Sequence, residues 1–595
     1  MSKNKKISPK LAIEWNLSQL YKSPDDPQIE KDLIFIEKAY KIFANKYKKS
    51  NTYLKNEDAL LRALLEYEKL ADMPSSKSVF YLHLAQDINS KDQKIRAKMN
   101  LTSQRLQKIG NVVLFFDVTL SKIHLSLQKK FLLSKKLFPY RYFLKKLFEG
   151  GKHTLSEQEE KILSLKSLPS HYMWTESIKK IHNKQTIKHK NKDIPISKAE
   201  SLIKELPTQK ERKELHNKVM ERFYELGDIA ESEINAIVTD KKINDELRDF
   251  KEPYDATVLA YENDKETILN LVKTVTDSFP LVHRFYSIKA KMLKLRKLSY
   301  SDRNASVGKT KKKISFNQAY NILLNLFTSI DSRFGKILES FINDGQIDVY
   351  PKVGKTGGAY CSPDHKQPAF VLLNHTNTFE SLRTFAHEMG HAIHGEFSKS
   401  QPVFYEGHSM STAEVASTLF EYFLFYNQFE KLSDEEKVIA LHDKIQDDVA
   451  TIFRQIACFN FELEMHNTIR EKGNMSKEEL ASCMNKHMKS YLGNKVELTE
   501  KDGYFFVGWP HIRSFFYVYS YAFGQLASKA LYKKYQEDKS YIEKIKEFLS
   551  LGSSMSPEDI FKSIGVDVKR PDFFKKGIES IEEDIKLLET LVGGK

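Results

Sequence analysis

Apolar residues recur at three- and four-residue spacing from residue 29 to about residue 135, as in LEYEKLADM and RLQKIGNVVLFF. This spacing matches the period of the α-helix and predicts long amphipathic helices that pack on one another. With 17 prolines and 23 glycines among 595 residues, the chain has too few turn-forming residues for the many turns of an all-β protein. We therefore expect a mainly α fold.

The length of the chain exceeds what one ordinary hydrophobic core supports, so it favours several domains or one large multi-lobed helical protein. No internal repeat of fixed period is apparent, which argues against a solenoid. A basic stretch at residues 179–195 separates the first helical region from a second one that begins near residue 197. We therefore divide the chain into residues 1–195 and residues 196–595. Polar and lysine residues interrupt the second region at 301–314.

The net charge of +15 fits a nucleic-acid or membrane partner, and it fits equally well a large surface with scattered lysines. Two basic runs, residues 179–192 and 309–313, lack interleaved aromatic residues and any nucleic-acid motif. We interpret both runs as solvated loops and expect no nucleic-acid partner. Since no run approaches ~20 apolar residues, we also expect no transmembrane helix and no membrane partner.

Three cysteines, Cys361, Cys458 and Cys483, are widely spaced and odd in number. They predict neither a disulfide framework nor a CxxC zinc pair, and they are typical of thiols in a reducing compartment. The amino terminus, MSKNKKISPKLAIEWNL, carries basic residues without the apolar core of a secretory signal. We expect a cytoplasmic protein, whose oligomeric state the sequence leaves open.

The pattern changes between residues 346 and 377, where IDVYPKV and AFVLLNH flank the segment GKTGGAYCSPDHKQP. The two β-branched, apolar segments predict a small sheet with glycine-rich turns. Helical periodicity returns at Phe379 and persists almost to the carboxyl terminus. Because a sheet edge can hold an extended peptide by strand addition, we assign that role to the strand near residues 369–373.

The segment TFESLRTFAHEMGHAIHGEF contains His387, Glu388 and His391 in the pattern H-E-x-x-H. Residues four apart lie one turn apart on the same face of an α-helix, so both imidazoles can reach one metal ion. Glu388 projects beside them, where it can take a proton from a water that the metal activates. The alternative is a helix with two incidental surface histidines.

The residues around this motif favour a buried helix. Asn377 is a suitable N-cap, and Glu380 three residues later completes a pattern like a capping box. An apolar side that would bury the helix comes from Phe385, Ala386, Ala392 and Ile393.

Catalytic zinc usually has three protein ligands and one position for water, so a further ligand must come from elsewhere. Glu414 lies 23 residues after His391, at the start of the apolar helix predicted in STAEVASTLFEYFLF. Ser411 and Glu414 also fit S-x-x-E, so Glu414 could instead cap its own helix. Glu421, two turns later on the same face, is the alternative, either as a ligand or as a partner of a ligand histidine.

A third group of residues lies in WPHIRSFFYVYSYAFGQLA, where His511 is followed by Tyr517, Tyr519 and Tyr521. If this segment is a helix, Tyr517 and Tyr521 share a face and Tyr519 points elsewhere. One interpretation is an aromatic core helix whose phenols reach solvent. The other is a set of hydrogen-bond donors for the oxyanion that forms in a hydrolase.

The runs HEMGHAIH, AEVAST with its following glutamate, and WPHIRSFFYVYSYAFG together resemble the oligoendopeptidase F family, one of the thimet-oligopeptidase-like metallopeptidases. The opening EWNLSQLYKSPDDPQIEKDL at residues 14–33 and the approach GGAYC…PAFVLLNHTNTFESLRTFAHE are also similar to that family. The resemblance covers nearly the whole chain and is densest from about residue 345 to residue 530.

This resemblance implies one zinc ion per chain bound by His387, His391 and Glu414, with Glu388 as general base. It implies that His511 and one or more of the nearby tyrosines, Tyr517 or Tyr521, stabilise the transition state. It also implies a two-lobed helical fold around a deep channel that admits short, unfolded peptides. Residues 1–195 would then form part of the channel wall, and residues 196–595 the catalytic domain.

The expected reaction is hydrolysis of internal bonds of short peptides. An exopeptidase with the same zinc chemistry is the nearest alternative. A non-catalytic peptide-binding scaffold is a second alternative, against which the intact Glu388 argues. Similar ligands accept manganese or cobalt, so the sequence leaves the identity of the ion open.

Overall fold

A computed structural model describes residues 11–308 and 313–593 of the chain. These residues are mainly helical, as predicted. They gather into two compact units, each built from three segments. Unit 1 comprises Met1–Lys152, Lys312–Gln428 and Lys534–Ile560, and unit 2 comprises His153–Lys311, Phe429–Lys533 and Phe561–Lys595. The functional division at residues 195 and 196 stays a prediction.

Fifteen helices precede residue 300 among the described residues. They are α1 (Pro27–Tyr47), α2 (Glu57–Ala71), α3 (Lys77–Ile88), α4 (Gln93–Asn111), α5 (Leu114–Ser121), α6 (Leu125–Leu133), α7 (Arg141–Gly151), α8 (Glu157–Ser167), α9 (Met173–Asn183), α10 (Ile196–Ile203), α11 (Gln209–Glu225), α12 (Gly227–Leu247), α13 (Asp255–Ala260), α14 (Lys265–Asp277) and α15 (Phe279–Met292).

Twelve further α-helices of the described residues follow residue 315. They are α16 (Phe316–Ile330), α17 (Ser332–Asn343), α18 (Phe379–Ser398), α19 (Met410–Phe429), α20 (Asp434–Asp448), α21 (Arg454–Lys472), α22 (Lys477–Leu492), α23 (Phe505–Gly508), α24 (Tyr519–Glu537), α25 (Ile542–Ser550), α26 (Pro557–Ser563) and α27 (Pro571–Gly593). None of the described helices combines the length and apolarity needed to cross a lipid bilayer.

Seven short strands form three small sheets in the described part of the chain. The strands are β1 (Thr186–His189), β2 (Lys192–Pro195), β3 (Leu298–Ser299), β4 (Ile347–Asp348), β5 (Tyr360–Ser362), β6 (Phe370–Leu372) and β7 (Val496–Glu497). β1 and β2 form an antiparallel hairpin, and β3 pairs with β7 in parallel. In the third sheet, β6 lies between β4, to which it is parallel, and β5, to which it is antiparallel.

The basic run at residues 179–192 is not the loop that we predicted. It forms the end of α9 and the hairpin of β1 and β2. Ile187 and Ile194 face each other across the hairpin and are both buried, so the apolar alternation, and not the lysine content, decides the local structure. Residues 309–312 of the second basic run and the amino-terminal residues 1–10 lie outside the described residues.

The small sheet of unit 1 occupies the predicted region, but it contains a strand more than expected. β5 forms within the segment that we read as a glycine-rich turn, and it makes β6 the central strand. Both edges of β6 are therefore paired, and the strand predicted to hold a peptide at residues 369–373 cannot do so.

The amino-terminal segment covers one side of this sheet. The Trp15 indole Nε1 donates to the Val371 carbonyl (2.9 Å), and its ring packs against Phe370 with centroids 5.8 Å apart. The Val349 amide, just beyond β4, donates to the Ile13 carbonyl (3.0 Å). The bond to Ile13 occupies the outer side of β4, which leaves β5 as the other edge strand of the sheet.

Candidate active site

The N-cap of the helix that carries H-E-x-x-H lies one residue later than predicted. The hydroxyl of Thr378 accepts from the amide of Ser381 (3.1 Å), which makes Thr378 the N-cap of α18. Asn377 adopts a left-handed conformation with φ of 60°, which asparagine tolerates better than most residues. The predicted capping box of Asn377 and Glu380 therefore does not form, although the helix starts at Phe379 as expected.

The apolar side of α18 is buried as predicted, by Phe385, Ala386, Ala392 and Ile393. Its polar side brings the two motif histidines together, with ring centroids 4.9 Å apart. Glu414 from α19 meets both rings. Its Oε2 lies 3.6 Å from His387 Nε2 and 3.9 Å from His391 Nε2.

These three residues each offer one ligand atom, and the atoms lie within 4.8 Å of one another. Two imidazoles and one carboxylate form a known donor set of catalytic zinc sites, which keep a fourth position for water. The residues present therefore fit a single divalent ion. The alternative of two incidental surface histidines does not explain the approach of a carboxylate from another helix to both rings.

A close contact between α18 and α19 brings Glu414 within reach. A Cβ added at Gly390 would lie 2.7 Å from Ser417 Cα and 3.2 Å from the Ala416 carbonyl oxygen. Any side chain at this position would push the helices apart, so the glycine inside the motif is what permits the approach. Ser411 lies within α19, which begins at Met410, and is therefore not the N-cap that an S-x-x-E cap requires.

Glu421 lies beside His387, where the second of its two predicted roles would require it. His387 Nδ1 donates to Glu421 Oε1 (2.5 Å), which leaves Nε2 directed toward Glu414. A carboxylate on the far nitrogen fixes the ring orientation and the tautomer of a ligand histidine. Burial opposes protonation of this ring, but the bond to Glu421 and the nearby carboxylates outweigh burial and raise the pKa of His387 to about 9.

The pKa of His391 is shifted in the opposite direction. Burial, with a contribution from the charge of His387, lowers its pKa to about 3, so this ring is neutral and ready to coordinate. An incoming ion therefore has to displace a proton at His387 only, since ligand imidazoles must be neutral.

Glu388 lies between these ligands and the sheet. Burial, opposed by the charge of His387, raises the pKa of its carboxyl group to about 7, and the neighbouring Glu414 adds to the rise. Cys361 of β5 lies beside this carboxyl group, and its backbone opposes the rise in pKa. A carboxyl group that titrates near neutral pH can both accept and return a proton, so Glu388 has the properties of a general base.

The second predicted cluster belongs to unit 2 and is built differently. The segment is not one helix, as we predicted. His511 lies in a 3₁₀ turn (Pro510–Arg513), Phe515 and Phe516 have φ of 42° and 60°, and α24 begins only at Tyr519. The break nevertheless brings three side chains together, because His511 Nδ1 and the Tyr517 hydroxyl share a hydrogen bond. The ring of Tyr521 lies 5.7 Å from that of Tyr517 and 5.8 Å from that of His511.

Tyr519 is separate from this cluster, as expected. It is fully buried, and its hydroxyl donates to Asn263 Oδ1 (3.0 Å). His511, Tyr517 and Tyr521 are only partly buried, so their polar atoms can meet a ligand. Burial raises the pKa of the Tyr517 phenol, and the bond to Tyr521 raises it further, which keeps this group protonated and able to donate.

Residues that the sequence reasoning missed hold the strained turn in place. Left-handed backbone costs bulky residues roughly 1–3 kcal/mol each, so such a conformation persists only where its surroundings enforce it. The Phe516 amide donates to Glu462 Oε1 (2.7 Å), and the Thr257 hydroxyl donates to the Phe515 carbonyl (3.0 Å).

The 3₁₀ turn before the strained residues is anchored as well. The guanidinium of Arg513 bonds the fully buried Glu233 through two nitrogens, both at 2.7 Å. The one sequence signal for these anchors was a glutamate among apolar neighbours, such as Glu462 in ACFNFELEM.

The sequence model described as Peptidase family M3 matches residues 202–580, more than half of the chain. The chain belongs to peptidase family M3. A second model, described as Oligopeptidase F, matches residues 120–176. The predicted membership of the oligoendopeptidase F family is thus confirmed.

The same family appears among curated relatives and solved structures. A protein of Borreliella burgdorferi described as an oligoendopeptidase F homolog is 27% identical over 96% of this chain and 98% of its own length. A crystal structure from Chlamydophila abortus covers 98% of this chain and 99% of its own, with 23% identity and a TM-score of 0.84. The oligoendopeptidase-F of Enterococcus faecium covers 96% and 98%, with 18% identity and a TM-score of 0.68.

Membership of family M3 makes this chain a metallopeptidase that hydrolyses peptides. The predictions of a hydrolase and of a mainly α fold are confirmed. The predicted metal ligands, base and oxyanion donors, and the identity of the ion, are the subject of the proposal that follows.

Proposed function

We propose that the protein is a zinc-dependent endopeptidase that hydrolyses internal bonds of short peptides. The observation that carries this proposal is the convergence of His387, His391 and Glu414 within 4.8 Å. The three free cysteines support a reducing compartment such as the cytoplasm.

His387, His391 and Glu414 would hold the ion in this proposal. When bound, zinc lowers the pKa of a water ligand to about 7 and polarises a carbonyl oxygen. Glu421 keeps the proton of His387 on Nδ1, so that Nε2 is free to coordinate. The ligands therefore stand in a preset geometry before any ion arrives.

Glu388 accepts the proton of the attacking water and delivers it to the leaving amine. Its pKa near 7 suits both steps, because the group is basic enough to accept and acidic enough to return the proton. Cys361 of β5 lies beside this carboxyl group, so the proposed base is next to the edge strand.

β5 is the strand to which we assign the alignment of the peptide, in place of β6. Its outer edge is free of the partners that occupy β4, and its central residue Cys361 lies beside the proposed base. An extended peptide that adds to this edge is held through its backbone, which makes recognition tolerant of side-chain sequence.

His511, Tyr517 and Tyr521 are proposed to donate hydrogen bonds to the oxyanion of the transition state. Each such donor contributes about 3 kcal/mol in other hydrolases. The hydrogen bond of His511 with Tyr517 and the contact of Tyr521 with both support a single group of donors, although no one phenol is singled out.

Replacing the base tests the mechanism directly. In Glu388→Gln we expect turnover to fall roughly 10²–10⁴-fold while the zinc content stays that of the wild type. Glu380→Gln changes an exposed glutamate of the same helix and should retain full activity. Turnover of the Glu388→Gln variant at the wild-type rate would refute the proposal.

The same assay separates the endopeptidase from an exopeptidase. Peptides blocked at both termini should be cleaved at internal bonds, and a chelator should abolish the cleavage. Products that arise only from peptides with a free terminus would replace the endopeptidase by an exopeptidase.

A further inference from the structure

A second group of ligand-type side chains lies in unit 2, between α21 and α22. Cys483 and His487 are four residues apart on α22, one helical turn from each other. Glu464 belongs to α21, which packs against α22. In the described part of the chain, this group and that of His387, His391 and Glu414 are the two whose candidate ligand atoms all lie within 4.8 Å.

We propose that Glu464, Cys483 and His487 form a second metal site, which binds a divalent cation of the zinc class and joins α21 to α22. The proposal concerns unit 2 alone and does not depend on the catalytic mechanism. The arrangement resembles that of the H-E-x-x-H site. In both, two candidate ligands come from consecutive turns of one helix and a carboxylate comes from another helix.

The side chains already point toward a common centre. His487 Nε2 lies 2.8 Å from Glu464 Oε2, and Cys483 Sγ lies within 4.8 Å of the candidate ligand atoms of both residues. Cys483 is 6% exposed, whereas the side chains of His487 and Glu464 are 14% and 37% exposed. The thiol thus forms the inner end of the site and the carboxylate its entrance, which gives an ion a path from solvent.

The donor set decides the class of ion. A sulfur, an imidazole nitrogen and a carboxylate oxygen suit Zn²⁺, Co²⁺ or Cd²⁺, whereas Mg²⁺ and Ca²⁺ prefer oxygen ligands throughout. Three protein ligands leave one tetrahedral position for water. Binding would release the proton of the thiol to solvent and form the sulfur–metal bond in its place.

Lys486 is the group that competes with a bound ion. Its ammonium lies 2.9 Å and 2.7 Å from the two oxygens of Glu464. The lysine side chain is 65% exposed, so it can turn into solvent, and ion pairs of this kind contribute little to stability. The lysine therefore neutralises the carboxylate without a metal and gives way when one binds.

Titration of the metal-free full-length protein with Co²⁺ tests the site. Thiolate ligation gives a charge-transfer band in the near ultraviolet, and no cysteine belongs to the proposed catalytic ligands. We expect the band to saturate at one Co²⁺ per chain, and to persist in a His387→Ala, His391→Ala double variant. Cys483→Ser should abolish the band, whereas Cys458→Ser, which changes a buried cysteine of α21, should retain it.

Two further measurements keep the test independent of folding defects. Lys486→Met should tighten Co²⁺ binding roughly two- to fivefold, the equivalent of losing one exposed ion pair. Cd²⁺ should raise the melting temperature of the double variant but not that of the same variant with Cys483→Ser. Absence of the band in the wild type, or its survival in Cys483→Ser, would overturn the proposal.

Discussion

The two clusters proposed for catalysis place their side chains by different means. In unit 1, α18 and α19 are unbroken, and four-residue spacing alone brings His387 and His391 to one side. In unit 2, His511 and Tyr517 meet because the chain reverses through the left-handed residues Phe515 and Phe516. Regular geometry thus builds the first cluster, and enforced irregular geometry builds the second.

The residues that hold each cluster in place also differ, being local in sequence for the first cluster and remote for the second. Gly390 and Glu421 lie within the helices that they serve, at positions fixed by the helical period. Glu462, Glu233 and Thr257 are remote in sequence from the turn that they hold. Substitutions should therefore affect the first cluster through local fit and the second through distant anchors.

The largest effect should follow from removing the third ligand of the first cluster. In Glu414→Ala the chain loses one of three converging ligand atoms, and we expect activity to fall by more than the ~100-fold typical of losing a supporting residue. Metal analysis after dialysis should show a matching loss of zinc. Unchanged zinc content would assign the third ligand to Glu421.

The second cluster should respond through turnover. We expect Tyr517→Phe or Tyr521→Phe to lower kcat by as much as about 10²-fold, with little change in KM, if that phenol donates to the oxyanion. Tyr519→Phe is the matched control. It removes the bond to Asn263 and should lower the free energy of unfolding by about 1 kcal/mol at unchanged kcat. A loss of turnover confined to Tyr519→Phe would reverse the assignment.

The contact between α18 and α19 offers a smaller and more specific test. Because an added methyl at Gly390 meets Ser417 Cα at 2.7 Å, Gly390→Ala should cost about 1–3 kcal/mol of stability and weaken zinc binding. A methyl group added at Gly395, later on the same helix, would lie 3.8 Å from Pro363 Cβ, so Gly395→Ala should be neutral or stabilising. Chemical denaturation and metal titration measure both effects, and equal behaviour of the two variants would contradict the close-packing argument.

The smallest effect on activity is expected at the anchor of the second cluster, where the change is one of stability. Burial raises the pKa of Glu462 to about 8 from an ordinary 4.5. Between these two pH values, Glu462 is protonated in the folded chain and ionised in the unfolded chain. Rising pH therefore lowers the free energy of unfolding by up to about 1.4 kcal/mol per pH unit.

Glu462→Gln removes this dependence. Denaturation at about pH 5 and about pH 8 should show the variant gaining stability relative to the wild type as the pH rises. Glu471→Gln, an exposed position of the same helix, should follow the wild type. A parallel pH profile for Glu462→Gln would mean that this carboxyl group is ionised in the fold.

The sequence predicted well what depends on helical period. The start of α18 at Phe379, the burial of Phe385 and Ile393, and the approach of Glu414 to both histidines agree with the structure. These features follow from side-chain spacing along one element, together with a family motif that places the ligand from the next element. They need no knowledge of the rest of the fold.

The failures share a dependence on tertiary partners. β5 was not predicted because it lies in a glycine-rich segment and has only three residues. These residues form a strand because they pair with β6. The predicted helix through His511 is interrupted because the Phe516 amide finds a buried carboxylate on α21. The N-cap is Thr378 and not Asn377. This difference of one residue is within the usual error of helix boundaries.

The segmented construction of unit 1 has a consequence for synthesis. α25 packs on α18, and Phe548 stacks on His394 with ring centroids 5.6 Å apart. During synthesis, α18 therefore lacks this packing partner until the segment of α25 has also been translated. Completion of the core around the motif helix is thus a long-range folding event and not a local one.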